Sequence, residues 1–401
     1  MDNVTHALAG LLMGEVAASV IARRTGTDAP AVRRAALALG VITAEFPDLD
    51  LLYAGPVLRM GKLGYLLHHR GHTHTVVAAL AAALLCWLAL LGARRAWRAP
   101  PVARPLLVLA IAGTLSHLAL DGTNNYGVHP WWPLDNRWHY GDTVFIVEPW
   151  LWVASLGPLL AIARGRPARV LYAVLLLAIL GAAWTVGMVP RTTALVLTVG
   201  AIAWTATCRG VAPAIRLRLA GAAWLAVEGV FAATGIAGRA RLREAIGPSM
   251  VDASLTPAPA DPGCLSALVL TVEGDAYTLT SAAVATVPGR DPASCPGGLR
   301  GDVNGPPTAR APAERIAWGT SWRGSLRELT ALAHDNCEAA AALRFMRMPT
   351  WHVLPGDRIR LSDARYGEGP GSFASVDIAA HPTACPRFVP GWTPPRADVL
   401  Q

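Results

Sequence analysis

Between positions 67 and 75 the chain reads Leu-His-His-Arg-Gly-His-Thr-His-Thr, which sets His68, His69, His72 and His74 within seven residues, beside Arg70. Neutral imidazole is the commonest protein metal ligand, and no ordinary core or loop needs imidazole at this density. Three further polar groups also stand at the end of an apolar run: Thr5-His6, the aspartates of Pro47-Asp48-Leu49-Asp50, and His117 with Asp121. His117 and Asp121 are four residues apart, so on a helix they share one face. There the carboxylate can join the imidazole on one ion or orient it from behind. Taken singly, His6 is an interfacial histidine, Asp48 and Asp50 are helix-capping aspartates, and His117 is a helix-end imidazole. Taken together, they offer mixed nitrogen and oxygen ligands suited to zinc or manganese, in numbers sufficient for one to three divalent ions. The condition is that all four stretches lie on one side of whatever they are embedded in.

Composition says what that is. Of 401 residues, 53% are hydrophobic and 15% charged, and the mean hydropathy is +0.37. That is too apolar for a soluble protein of this size and places the chain among membrane proteins. The net charge of +8 comes almost entirely from arginine, in short clusters between apolar runs. Such clusters report topology. No basic stripe interleaved with aromatics occurs, so nucleic acid is not an expected partner. Membrane lipids are.

Eight apolar segments follow in order: 4–22, 35–46, 76–91, 106–120, 147–163, 170–189, 193–207 and 217–233. The first is interrupted by His6 and Glu15 and lacks a basic leader, so it reads as a span and not as a cleavable signal peptide. The second is short for a bilayer and stops at Pro47. The expected fold is therefore mainly α, a polytopic helical membrane protein with seven to eight spans. The connections after the first, third, fifth and seventh segments each carry three or four arginines and no lysine, with Arg218 at the start of the eighth segment counted beside Arg209 and Arg216. By the positive-inside rule those loops face the cytoplasm. His6, Asp48, Asp50, the histidine cluster, His117 and Asp121 then all fall on the outer side. The tryptophan-rich loop 122–147, with Asn124, His139 and Asp142, lies at the same surface.

From about residue 238 the chain changes character. It becomes rich in proline and glycine and has no spanning run. Segments 265–272 and 276–280 flank Glu273-Gly274-Asp275 and read as a β-hairpin. Ser325-Leu-Arg-Glu328 reads as a capping box, and 357–362 and 372–378 as further strands. The expectation is a C-terminal extramembrane α+β or β-rich domain. It holds Cys264, Cys295, Cys337 and Cys385, four of the six cysteines. Two disulfides are expected, in any of three pairings, and they require an oxidising compartment. The expected organisation is 1–145 as the helical region with the candidate chemistry, 146–237 as additional spans, and 238–401 as a domain outside the cytoplasm.

The combined motifs Thr5-His6, Pro47-Asp48-Leu-Asp50, His69-Arg70-Gly71-His-Thr73-His74-Thr75 and His117-Leu-Ala-Leu-Asp121-Gly-Thr123 match in order and approximate spacing those of a known family. Residues 1–145 resemble the YdjM-type membrane-bound metal-dependent hydrolases. Thr75 stands where serine is frequent, and His68 and His72 are additional to the motif. The family is in turn distantly similar to the zinc-dependent phospholipase C and P1-type nuclease group, which would imply a helical, multi-zinc phosphodiesterase site. On this reading His6, Asp50, His69, His74, His117 and Asp121 hold metal. Asp48 is a ligand or general base, and Arg70 clamps an anion. His68, His72, Asn124, His139 and Asp142 are secondary candidates. The expected activity is hydrolysis of an ester or phosphoester, on a small-molecule or lipid-linked substrate, at the outer face of a bacterial inner membrane. The alternative is a non-catalytic membrane protein with a structural metal and a ligand- or partner-binding periplasmic domain. Glu15, Glu45 and Glu228, in or beside spans, keep a transporter as a third reading.

Overall fold

The structure is a computed structural model that describes residues 1–55, 57–296, 303–311 and 313–400. Ten helices come first: α1 (Asn3–Thr25), α2 (Pro30–Glu45), α3 (Leu51–Ala54), α4 (Gly61–His68), α5 (Val76–Ala93), α6 (Pro100–Gly122), α7 (Pro149–Ile162), α8 (Arg166–Thr185), α9 (Arg191–Gly210) and α10 (Pro213–Ile246). Strands β1 (Met250–Ala258), β2 (Asp261–Glu273), β3 (Ala276–Ala285) and β4 (Ile316–Ser325) follow. Then come α11 (Leu326–Asp335), α12 (Cys337–Leu343), β5 (Pro349–Leu354), β6 (Arg358–Asp363) and β7 (Ser375–Ala379).

Among the described residues, five helices are long and apolar enough to cross a membrane: α1, α5, α6, α8 and α10. The eight expected segments all form helix, but α2 and α7 have only 16 and 14 residues. At 1.5 Å per residue these fall short of a hydrocarbon core of about 30 Å. Helix α9 has the length but carries five threonines. Helix α2 is held inside the bundle, with Ala36, Leu39 and Ala44 buried against α1 and α6.

Small residues set that packing. Gly10 of α1 lies against Gly40 of α2, and Gly14 against Ala36, so closely that a side chain on either glycine would meet backbone of the other helix. Gly113 of α6 lies as closely against the Thr43 side chain of α2. In lipid, where apolar surface gains nothing by hiding from tails, such close approach is what drives helices together. The result aligns ends: the starts of α1 and α5 and the ends of α2 and α6 converge. Pro47 ends α2 by diverting the chain into a 3-10 turn, Phe46–Asp50.

Helix α10 runs 34 residues without a break, so the expected boundary at 238 falls inside it. Its last turns leave the bundle and pack on the first sheet, an antiparallel meander in the order β1-β2-β3-β4. The 273–276 hairpin turns at Gly274, whose φ of 60° is the left-handed region that glycine enters freely. Alternation along β2 decides two cores. Leu265, Ala267 and Val269 pack with Leu242 of α10. Leu268 and Leu270 pack on the other side with Tyr277, Trp322, Phe345 and Trp351. That second core also takes in Leu66, Leu67, Tyr126 and Trp138 from the first 145 residues. The second sheet has the order β5-β6-β7. Half of the expected capping box is formed: Ser325 accepts from the Glu328 amide, while the Glu328 carboxylate accepts from the Trp351 indole at 3.1 Å. Both disulfides are present, Cys264–Cys295 and Cys337–Cys385.

Asp142 fastens the two regions. It pairs with Arg239 of α10 and accepts from Arg347 Nη1 at 2.8 Å, while Arg347 Nε reaches Asp252 of β1 at 2.8 Å. Removing one partner of such a buried set costs about 3–5 kcal/mol, because the other charges stay behind unpaired.

The helix contact gives the first test. Gly40→Ala is expected to destabilise detergent-purified protein by about 1–3 kcal/mol or more, read as a lower thermal midpoint. An unchanged midpoint would mean that α1 and α2 do not touch at this point.

Candidate metal centre

Four elements bring the chemistry together. His6 lies in the first turns of α1, Asp48 and Asp50 on the 3-10 turn, and His117 and Asp121 on the last turns of α6. His74 ends a second 3-10 turn, His72–His74, directly before α5. Thr75 caps α5 by accepting from the Ala78 amide at 3.1 Å, and its own hydroxyl donates to the His72 carbonyl. Arg70, just upstream, holds φ = 59°, an uncommon conformation for a residue with a side chain. Its strain, about 1–3 kcal/mol, is offset by its amide donating to Asp50 Oδ2 at 2.9 Å and its guanidinium reaching Asp121 Oδ1 at 3.0 Å.

The decisive geometry is between His74 and His117. Their Nε2 atoms face each other at 3.0 Å. The Nδ1 of His117 lies 2.5 Å from the Ala44 carbonyl oxygen, which can only accept, so the ring proton sits on Nδ1 and Nε2 carries a lone pair. The Nδ1 of His74 lies 3.2 Å from Asp50 Oδ2, which assigns its proton the same way. Two lone pairs at 3.0 Å repel, so a positive charge has to lie between them, either a proton or a metal ion. The carboxylates select between these. Asp48 Oδ1 is 3.4 Å from both nitrogens, and Asp121 Oδ2 is 3.1 and 3.4 Å from them. A tetrahedron with metal–ligand distances of about 2.0–2.1 Å has edges of roughly 3.3 Å. Five separations of 3.0–3.4 Å among four donors match that figure. Asp48, His74, His117 and Asp121 could therefore hold one metal ion, and the residues present fit it.

A supporting layer surrounds these donors. His6 stacks on His117 with ring centroids 3.8 Å apart, and its Nε2 lies 3.2 Å from Asp121 Oδ1, the oxygen turned away from the two imidazoles. The α-amino group of Met1 meets the same oxygen. Asp50 is saturated by His69 Nδ1 at 2.9 Å, the Thr73 hydroxyl at 2.9 Å, the Arg70 amide and His74. It thereby orients two histidines and leaves His69 Nε2 as an acceptor. Asp48, Asp50 and His69 form a second group of donors within 4.8 Å of one another. Burial raises the Asp50 carboxyl, but hydrogen bonds from His69 and His74 outweigh it and hold the carboxyl down at about 2. Burial likewise works against Asp48, and the facing His117 and His74 imidazoles keep it well below the carboxylate range. For His74 burial lowers the pKa, yet hydrogen bonds to Asp121, Asp48 and Asp50 prevail and lift it to about 10.

The remaining expected residues lie outside the donor set. Arg70 Nη1 donates to the Asp121 carbonyl and to Asn124 Oδ1, so its guanidinium braces Asp121. His68 Nε2 contacts the Phe388 carbonyl at 2.9 Å, and His72 packs on Trp132 and Trp392. His139 bridges to Val128 by backbone and lies 3.5 Å from Asp135. Asp142 belongs to the latch with Arg239 and Arg347. Sequence reading missed the Ala44 carbonyl, a backbone atom without any sequence signal, and the tyrosines beside the centre. Tyr65, Tyr126 and Tyr366 line a cavity of about 690 Å³ together with Asp48, His69 and Arg70. Tyr366 comes from the C-terminal domain, beyond any local motif.

Residues 1–193 match the family model described as YdjM inner membrane protein. Over these residues the chain is similar to that family. The match reaches further than the motifs at 1–145 and takes in α7, α8 and the start of α9. The β-rich domain stands outside it. No curated protein and no solved structure matches the chain.

The His74 pKa carries a pH dependence. With its pKa lifted to about 10, this imidazole is protonated at neutral pH, so an ion entering the centre must displace that proton. Metal affinity is expected to rise with pH, by about tenfold per unit for one proton released. Chelator competition at pH 6, 7 and 8 measures it. A pH-independent affinity would mean that the ion binds elsewhere.

Proposed function

We propose that this chain is a membrane-bound metal-dependent hydrolase acting on an ester or phosphoester bond at the outer face of a bacterial inner membrane. The observation that carries it is the facing pair of imidazole lone pairs, flanked at matching distance by Asp48 and Asp121. Mixed imidazole and carboxylate donors suit zinc, with manganese as the second choice. Such a centre in a helical bundle is what the expected likeness to the phospholipase C and P1-type nuclease group would imply.

The side of the membrane is supported by two signals. The C-terminal domain lines the cavity beside the donors, so the metal centre and this domain share a side. Its two disulfides belong to an oxidising compartment. The arginine-rich loops favour the opposite side for themselves.

A divalent ion in this position supplies Lewis-acid polarisation and an acidified water. The chain's own residues do the rest. Asp48, His74, His117 and Asp121 bind, while Asp50 and the Ala44 carbonyl fix the tautomers of His74 and His117. His69, turned by Asp50 and lining the cavity, takes the proton of the attacking water at Nε2. Arg70 holds Asp121 in place and keeps its charge compensated.

Elemental mass spectrometry of detergent-purified protein is expected to find zinc or manganese in the wild type and none in a folded His74→Ala/His117→Ala variant. A wild type that holds no ion after reloading would remove the hydrolase reading. With a chromogenic phosphoester, His69→Gln is expected to keep the four-donor ion and lose about 10²–10⁴-fold in kcat. Stripping the ion and restoring it should abolish and return activity. A structural metal would instead leave the fold only when the protein unfolds.

A further inference from the structure

The cavity beside the metal donors is walled by two kinds of surface. One is polar and holds donors without acceptors. Arg70 Nε, Asn124 Nδ2, the Tyr126 hydroxyl and the Tyr366 hydroxyl are all buried and have no hydrogen-bond partner among the described residues. Arg70, Asn124 and Tyr126 are 2%, 3% and 6% exposed, which removes open solvent as their usual partner. All four residues line the cavity, together with Asp48 and His69 of the donor groups. They also lie close to one another. The Arg70 guanidinium sits 4.6 Å from the centre of the Tyr126 ring, Arg70 Nη1 donates to Asn124 Oδ1, and the Tyr126 and Tyr366 rings are 6.1 Å apart. The Asn124 amide is oriented by its own contacts: Oδ1 accepts from Arg70 and from the Tyr126 amide, so Nδ2 is the free donor. Burial raises the Tyr126 hydroxyl far above its usual value and Tyr366 to about 12, so both stay protonated.

Four buried donors on side chains that line one cavity, none with an acceptor of its own, are the complement of an oxyanion. The other wall, with Val144, Phe145, Ile146 and Met188, is apolar. We propose that Arg70, Asn124, Tyr126 and Tyr366 form a subsite for the oxygens of a phosphoryl group beside the metal donors, and that the C-terminal domain completes this subsite through Tyr366. It rests on the metal-dependent reading for its role in a reaction, but its donors belong to the chain and bind without the ion. The ligand class is a phosphate ester with an apolar substituent placed along the second wall. The domain outside the YdjM match thereby acquires a function, as the part of the pocket that selects substrate.

The test is calorimetric titration of inorganic phosphate into the full-length protein in detergent, metal-loaded and metal-stripped, with metal content measured on the same samples. Tyr366→Phe and Tyr126→Phe each remove one hydroxyl and keep the ring. Each is expected to weaken phosphate binding about tenfold, in both metal states, with metal content unchanged. Wild-type binding by both variants, or no phosphate binding by the wild type in either state, overturns the subsite. Failure of the metal reading is seen separately, as a wild type without an ion whose phosphate affinity still falls in the two variants. Competition with short-chain phosphatidic acid separates the sources. Displacement at least tenfold tighter than by inorganic phosphate assigns a lipid phosphate, and equal displacement assigns a free phosphate; either outcome supports the phosphoryl subsite.

Discussion

Two imidazole nitrogens held 3.0 Å apart, each with its lone pair turned to the other, need a positive charge between them. Much of the surrounding structure serves to keep that arrangement. The Ala44 carbonyl holds one tautomer and Asp50 the other. Asp121 divides its two oxygens, one toward the imidazole pair and one toward His6, Arg70 and the Met1 amine. Carboxylates in such a place need compensation, since an unpaired buried charge is costly. Arg70 gives it from a left-handed backbone that few residues adopt.

The helices make this possible by ending together. Gly10, Gly14 and Gly40 bring α1 and α2 into backbone contact, and Gly113 brings α6 onto Thr43. A larger residue at these points would separate the helices and with them His6, Asp48 and His117. The same small residues that replace hydrophobic driving force in lipid therefore also set the spacing of the donors. Helix α2 shows the division of labour. It is too short for a clear span, yet its C-terminal end carries both the Ala44 carbonyl and the turn with Asp48 and Asp50.

The β-rich domain is coupled to the bundle in three ways. Helix α10 enters its core, Asp142 joins Arg239 to Arg347 and Asp252, and the Trp392 indole donates to the Leu67 carbonyl at 2.8 Å. Leu67 immediately precedes the histidine cluster. The domain thus lies against the segment that carries His69 and His74, and its Tyr366 lines the same cavity as His69.

Much of this was legible from residue order alone. The density of His68, His69, His72 and His74, the four-residue step from His117 to Asp121, and the arginine clusters are local patterns whose physical meaning does not depend on the fold. So are the hairpin at Glu273-Gly274-Asp275 and the capping box at Ser325. The number of cysteines pointed to two disulfides, while their pairing required folded proximity. What the sequence by itself determined was a helical membrane protein with metal-binding residue types near one surface, followed by a β-rich domain. Only the tertiary structure decided which residues share an ion. It placed Asp48 with His74, His117 and Asp121, put His6 and Arg70 behind Asp121, turned His68 and His72 toward aromatic packing, and used Asp142 as a latch. It also brought Tyr366 across some 240 residues of chain to Tyr126. The reason is that donor geometry depends on distances of a few tenths of an ångström between separate helices, set by close packing that no single stretch encodes.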